Sequence, residues 1–468
     1  MSGNQPVNSV LADFFRYPEG FAHLDILGGL SAEEGFFTFG PGITCYGRCA
    51  GGTPVPTTRT HELNDVFDKV QSDARGVRLP FDFDQVVNNL RYERYIPKSN
   101  RSHPSKSTVI AQVYYFFRPL MPVKVRKYLQ RAHLSGWQRI DFPRWPVDFT
   151  VDSLMERTLG LMLKARNMRS VPFIWFWPHG APSCAMMTHD VETKLGRDFC
   201  SKVMDLDDSH AIKSSFQLIP ETRYDLSNGF LDSFRARRFE VNVHDLNHDG
   251  CLFREKEEFL RRATMINKYA REFGTQGFRS GAMYRNQNWY DAFEFSIDMS
   301  VPSVAHLEPQ RGGCCTSMPY FIGDILELPL TTIQDYSLFN ILSDYSINIW
   351  KQQIELIMQR NGLISFITHP DYLIEGRAQR TYLDLLSHLA QLRTEKRLWV
   401  ALPSEVNRWW RSRQQMRLFS DGHQWRIEGP DSERARVAFA RLDGDRVTYS
   451  VDAAGPELSP LSESQSTL

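Results

Sequence analysis

Cys184-Ala185-Met186-Met187-Thr188-His189-Asp190-Val191-Glu192 is an apolar run that ends in two acids spaced two apart. Two other fragments are built the same way. Residues 239–243 lead into His244-Asp245-Leu246-Asn247-His248-Asp249-Gly250, and residues 363–367 lead into Thr368-His369-Pro370-Asp371. Short apolar runs bounded by turn residues read as buried strands. Polar groups at the ends of separate strands are how α/β barrels assemble a site. These three fragments therefore bear on the fold and on the chemistry at once.

Outward from them, strand-like runs cover 173–176, 184–188, 215–218, 239–244, 277–279, 326–330, 363–368 and 399–402, with helical patterns such as 256–273 and 348–359 between. This alternation predicts a mainly parallel sheet or barrel. Three later runs, 424–428, 435–441 and 447–451, read as short strands, with an Asp443-Gly444 turn between the last two. The earlier part is less patterned, with helix-like stretches at 62–72 and 83–94. The expected domains are an N-terminal mixed domain of unknown role over 1–170, a catalytic domain over 171–410, a small β module over 411–455, and a disordered tail over 456–468. That tail is rich in Ser, Pro and Glu and too polar to bury a core.

With 468 residues, 42% of them hydrophobic, the chain has material for two or three domains. A net charge of zero excludes a molecule built as a whole to bind polyanions, so no nucleic-acid partner is expected. The first twenty residues show neither a basic nor an apolar signal region, and no apolar run is long enough to span a bilayer; a soluble, cytoplasmic protein is expected. Seven scattered cysteines suit a reducing compartment, and Cys45 and Cys49 lack the second pair of a structural zinc site. A basic region over 91–144 holds twelve Lys and Arg against Glu93 and Asp141. It reads as a solvated face, with peripheral membrane contact as its functional alternative.

The site chemistry starts from His244 and His248. An i, i+4 pair lies on one face of a helical turn, so both imidazoles can reach one ion. Two His and one carboxylate leave a coordination position open, as catalytic zinc sites do. Asp190 and Glu192 project from one face of an extended strand, so one can bind metal while the other acts as a base. Alternation turns His189 the opposite way, toward packing. Pro370 holds His369 extended at a strand end, where it can donate a proton. Arg279 can pair with a site carboxylate and keep it ionised. Tyr284, Trp289 and Tyr290, which follow it, suit either sugar stacking or a core.

Taken together, residues from about 170 to 410 resemble the polysaccharide deacetylase (NodB-homology) family of carbohydrate esterases, in particular a bacterial subgroup of predicted deacetylases. The resemblance rests on Thr188-His189-Asp190-Val191-Glu192, the His244 to His248 pair, Arg279, and Ile367-Thr368-His369. It implies an irregular (β/α) barrel of the NodB-homology type. It implies catalytic Asp190 as base, His369 as acid and Arg279 as holder of the base. It also implies a divalent metal, zinc foremost, on Glu192, His244 and His248. The chain departs from the family in two places. Asp190 and Glu192 are spaced by Val191, which leaves ligand and base interchangeable, and Gly281 stands where the family has a Pro. An Asp that supports His369 is implied among Asp298, Asp324 and Asp335. The implied activity is removal of an N-acetyl or similar acyl group from an amino sugar or glycan precursor. Two other classes fit the same residue types: a non-catalytic glycan-binding or assembly protein on this fold, and a metal oxygenase with two His and one carboxylate.

Overall fold

The computed structural model describes residues 10–97, 134 and 136–451, apart from positions 22, 51, 60, 61, 74, 75, 421 and 423. The tail over 456–468 and most of the basic region lie outside the described residues. Those described form two compact units. One draws on Met1–Tyr95, Phe149–Gly180 and Trp409–Leu468; the other draws on Ile96–Asp148 and Ala181–Arg408.

The second unit is mixed α/β and is organised by a nine-stranded sheet. Eight strands run in the order Tyr320–Ile322, Ile325–Glu327, Ile297–Asp298, Gly277–Arg279, Glu240–His244, Ser214–Leu218, Cys184–Val191 and Leu363–Thr368. The ninth, Trp399–Val400, pairs with the start of Cys184–Val191. Every pairing is parallel except that of Tyr320–Ile322 with Ile325–Glu327. Cys184–Val191 and Leu363–Thr368 are buried at every residue, which is why both read as unbroken apolar runs.

Parallel neighbours need crossovers, and helices with clear end signals supply them. Thr193 accepts the Gly196 amide at the start of Lys194–Ser209, and Ser227 accepts the Phe230 amide at the start of Asn228–Ala236. Gly274, at φ +60°, closes Lys256–Phe273. Beyond Ile325–Glu327 the chain turns back onto the last strand. Thr331 Oγ1 donates to the Leu363 carbonyl (2.8 Å), and Thr332 Oγ1 donates to the Ser365 carbonyl (2.7 Å). The sheet is thus curled into a half-barrel, with Met283, Leu330 and Ile367 meeting in its core.

The first unit contains Ser170–Ile174, paired antiparallel with Val437–Asp443, which also pairs with Arg446–Val451. The run expected at 173–176 therefore belongs with the C-terminal strands and not with the parallel sheet. Residues 62–72 hold no α-helix. They contain one 3-10 turn, Phe67–Lys69, and the start of a strand, Gln71–Asp73. Asp65 Oδ1 accepts the amides of Phe67 (3.0 Å) and Gly40 (2.8 Å), a local bond that competes with a helix. All seven cysteines are free thiols. Among the described residues, no helix is long and apolar enough to cross a membrane.

Candidate metal and acid–base site

Register brings the chosen strand ends together. Thr368 lies opposite His189, and Arg279 lies opposite His244. Thr188 and Asp190, two apart, face the same guanidinium. Arg279 Nη1 donates to Asp190 Oδ1 and to Thr188 Oγ1, both at 2.7 Å, while its Nε donates to the Met299 carbonyl (3.0 Å). Burial works to raise the Asp190 carboxyl, but Arg279, by its charge and its hydrogen bond, together with His369, outweighs it and holds it below the usual range.

Glu192 is the meeting point of three imidazoles. Its Oε1 lies 3.0 Å from His248 Nε2, 3.5 Å from His369 Nε2 and 3.8 Å from His244 Nε2. The Glu192 side chain is 27% exposed while that of His244 is 1% exposed, so solvent reaches the group from the glutamate side. The ligand-type atoms of Glu192, His244 and His248 all lie within 4.8 Å of one another. The His244 and His248 Nε2 atoms are buried and make no hydrogen bond, since the approach of Glu192 is off the line an N–H would need. His244 Nδ1 faces the Arg279 carbonyl (3.1 Å). A carbonyl can only accept, so Nδ1 holds the proton and the Nε2 lone pair is turned inward, the tautomer a metal ligand requires. This donor set fits a divalent ion. Burial raises the Glu192 carboxyl, yet the charge of His248 and the closeness of the three imidazoles bring it well below its usual range.

The His pair is not on a helical turn. His244 ends a strand, and His248 lies in an irregular loop in which Asp245 (φ +57°) and His248 (φ +55°) are left-handed. Polar side chains take the amides that a helix would use. Asn247 Oδ1 accepts from Asp249 N (3.2 Å), and Asp249 Oδ1 accepts from Cys251 N (2.8 Å). Arg262 grips both Asp249 oxygens at 2.8 Å, and Arg223 donates to the His248 carbonyl (2.6 Å).

Of the three candidate aspartates, Asp335 is the one that holds His369. Its Oδ1 accepts from Nδ1 (2.6 Å) and its Oδ2 accepts from the backbone amide (2.7 Å). Asp298 instead accepts from Ser300 Oγ (2.6 Å), and Asp324 is exposed. Burial opposes the His369 imidazolium, but Asp335 and then Glu192 push its pKa well above the usual value. His189 points away from this group. Its Nδ1 meets Thr368 Oγ1 (2.8 Å), its Nε2 meets Asp207 (3.2 Å), and Tyr382 donates to the same carboxylate. Tyr284 and Tyr290 are buried, and Trp289 packs on Phe253 and Phe259. Ser280 N, the first amide after Arg279, is engaged by Ser300 Oγ (2.9 Å).

No family model matches the chain, and no curated protein matches it. Solved structures do resemble it over about half its length. A candidate polysaccharide deacetylase from Mycobacterium smegmatis is 14% identical, with a TM-score of 0.39, over 51% of this chain and 93% of that one. Puue allantoinase is 9% identical, with a TM-score of 0.40, over 50% and 92%. The Bc1960 peptidoglycan N-acetylglucosamine deacetylase is 12% identical, with a TM-score of 0.30, over 49% and 90%.

Proposed function

We propose that this chain is a metal-dependent hydrolase that removes an N-acetyl or similar acyl group from an amino sugar or glycan precursor. One observation carries the reading. Glu192 meets His244 and His248 beside a carboxylate gripped by an arginine and an imidazole gripped by an aspartate. We assign Glu192, His244 and His248 to a divalent ion, zinc first, because three such donors leave one position free for chemistry. When bound, an ion of this kind polarises an acyl carbonyl and lowers the pKa of a water. Asp190, kept ionised by Arg279, takes the proton from the attacking water. Asp335 orients His369, which gives its Nε2 proton to the departing amine. The two groups are driven apart in acidity by their partners, as a division between base and acid requires. These residues support acyl hydrolysis, while the sugar comes from the motif resemblance.

Incubating the zinc-loaded protein with a panel of N-acetylated sugars and measuring acetate tests the proposal. Asp190→Asn should keep zinc and lose about 10²–10⁴-fold in turnover, whereas His244→Ala should lose zinc. Undiminished acetate release in both variants would overturn it.

A further inference from the structure

Asp245, next to His244, is 1% exposed and left-handed at φ +57°. Its Oδ1 accepts the Leu246 amide (2.7 Å), but its Oδ2 is buried with no hydrogen-bond partner. Gly281 explains the space around that oxygen. A Cβ at position 281 would stand 2.5 Å from Asp245 Oδ2, 3.0 Å from His248 Cδ2 and 3.3 Å from His248 Nε2. The bare oxygen and the bare ring nitrogen therefore border the same gap. A buried carboxylate oxygen in this condition is costly unless a cation compensates it.

The surrounding charges can be counted. Asp190 is paired with Arg279, Asp335 with His369, and Asp249 with Arg262. Arg223 is exposed and donates to the carbonyls of Asn247 and His248. Glu192 meets imidazoles rather than a Lys or Arg, and among the described residues Asp245 makes no ion pair. Two such charges match one divalent cation.

We propose that Asp245 is a member of the metal centre, supplying with Glu192 the two negative charges that one divalent ion balances. This rests on the metal site assigned above. The oxygens of Asp245 are not among the three ligand atoms that crowd together, so it is a positioning residue that acts by charge on the ion and on His248.

The test compares metal-stripped wild type with Asp245→Asn, using calorimetric titration with zinc and melting curves without metal. Asn keeps the shape and the Leu246 acceptor, and it tolerates left-handed backbone. The zinc Kd should rise about 10-fold or more. The metal-free variant should melt at the same temperature as wild type or higher, because an uncompensated buried charge is gone. The melting shift induced by zinc should shrink accordingly. An unchanged zinc Kd would overturn the proposal. So would a variant that melts lower without metal or fails to fold, since that is what an aspartate that only shapes the loop would give. If wild type binds none of zinc, manganese and cobalt, the metal reading falls and this proposal with it. Equal affinity in the two proteins sinks only the role of Asp245.

Discussion

Gly281→Ala asks whether the gap beside His248 is what keeps that imidazole in place. Position 281 is not left-handed, so alanine meets no backbone penalty there and any effect is steric. The new Cβ would lie 2.5 Å from Asp245 Oδ2, about 1 Å inside a comfortable contact, and 3.0 Å from the His248 ring. Neither neighbour can yield freely. Asp245 is tied to Leu246, and the His248 carbonyl is tied to Arg223. Overpacking of this kind costs about 1–3 kcal/mol, or about 2–12 °C of melting temperature in a unit of this size. Disturbing the groups that orient a metal ligand costs about 10–100-fold in affinity. The expected result is a zinc Kd raised by that factor with only a moderate fall in the Tm of the metal-free protein. Calorimetric titration and a melting curve on the same stripped sample read both. Gly281→Pro, which adds ring atoms at the same place, should be worse. A zinc Kd within about twofold of wild type in Gly281→Ala would refute the reasoning, because His248 would then be either unconstrained by position 281 or not a ligand.

Two further outcomes are expected. Asp335→Asn should lower turnover by about 10²–10⁴-fold with zinc affinity nearly unchanged, since Asp335 touches the proposed acid and not the proposed ligand trio; parallel loss of zinc would move His369 among the ligands. Glu327→Gln tests a buried acid away from the site. Burial, reinforced by Asp298, pushes the Glu327 pKa well above its usual value, so the folded state holds a proton that the unfolded state releases near pH 4.5. Its stability contribution is full below that pH and is lost as pH rises through the folded value. Gln mimics the protonated form and still accepts from Val301 N, so Tm of the variant minus Tm of wild type should grow more positive from pH 5 to pH 9. A difference that falls over this range would refute the assignment.

The legible parts of the fold are those whose burial is continuous or periodic. Cys184–Val191 and Leu363–Thr368 are buried on both faces and so appear as plain apolar runs. Lys256–Phe273 has a charged face and a glycine stop, and its limits read directly from the sequence. Ile297–Asp298 carries no such signal, because two residues cannot show a period and only its neighbours make it a strand, whereas the run read at 326–330 is strand over Ile325–Glu327. Asp335 is hidden for a related reason. It reaches His369 across 34 residues because Thr331 and Thr332 bond to the last strand, and nothing near Asp335 in sequence announces that contact.

The His244–His248 pair shows why spacing and conformation must be separated. Four residues of separation suit one face of a helical turn, and a helix would hold both rings through its own backbone bonds. Here the same separation is met by a strand end and a left-handed loop, whose backbone groups are satisfied from elsewhere. Arg279 offers its carbonyl to the Asp245 amide (2.9 Å) and to the His244 ring, Arg262 grips Asp249, and Arg223 reaches the His248 carbonyl. The loop therefore depends on strands and helices far away in the chain. Arg279 is shared between it and Asp190, so one residue orients the proposed ligand imidazole through its carbonyl and the proposed base through its side chain. Gly281 belongs to the same arrangement. Where the resembling family has a proline, this chain has room for an aspartate oxygen beside the ring. Gly281 and Asp245 are thus coupled: a Cβ at 281 would meet the Asp245 carboxylate and the His248 ring at once.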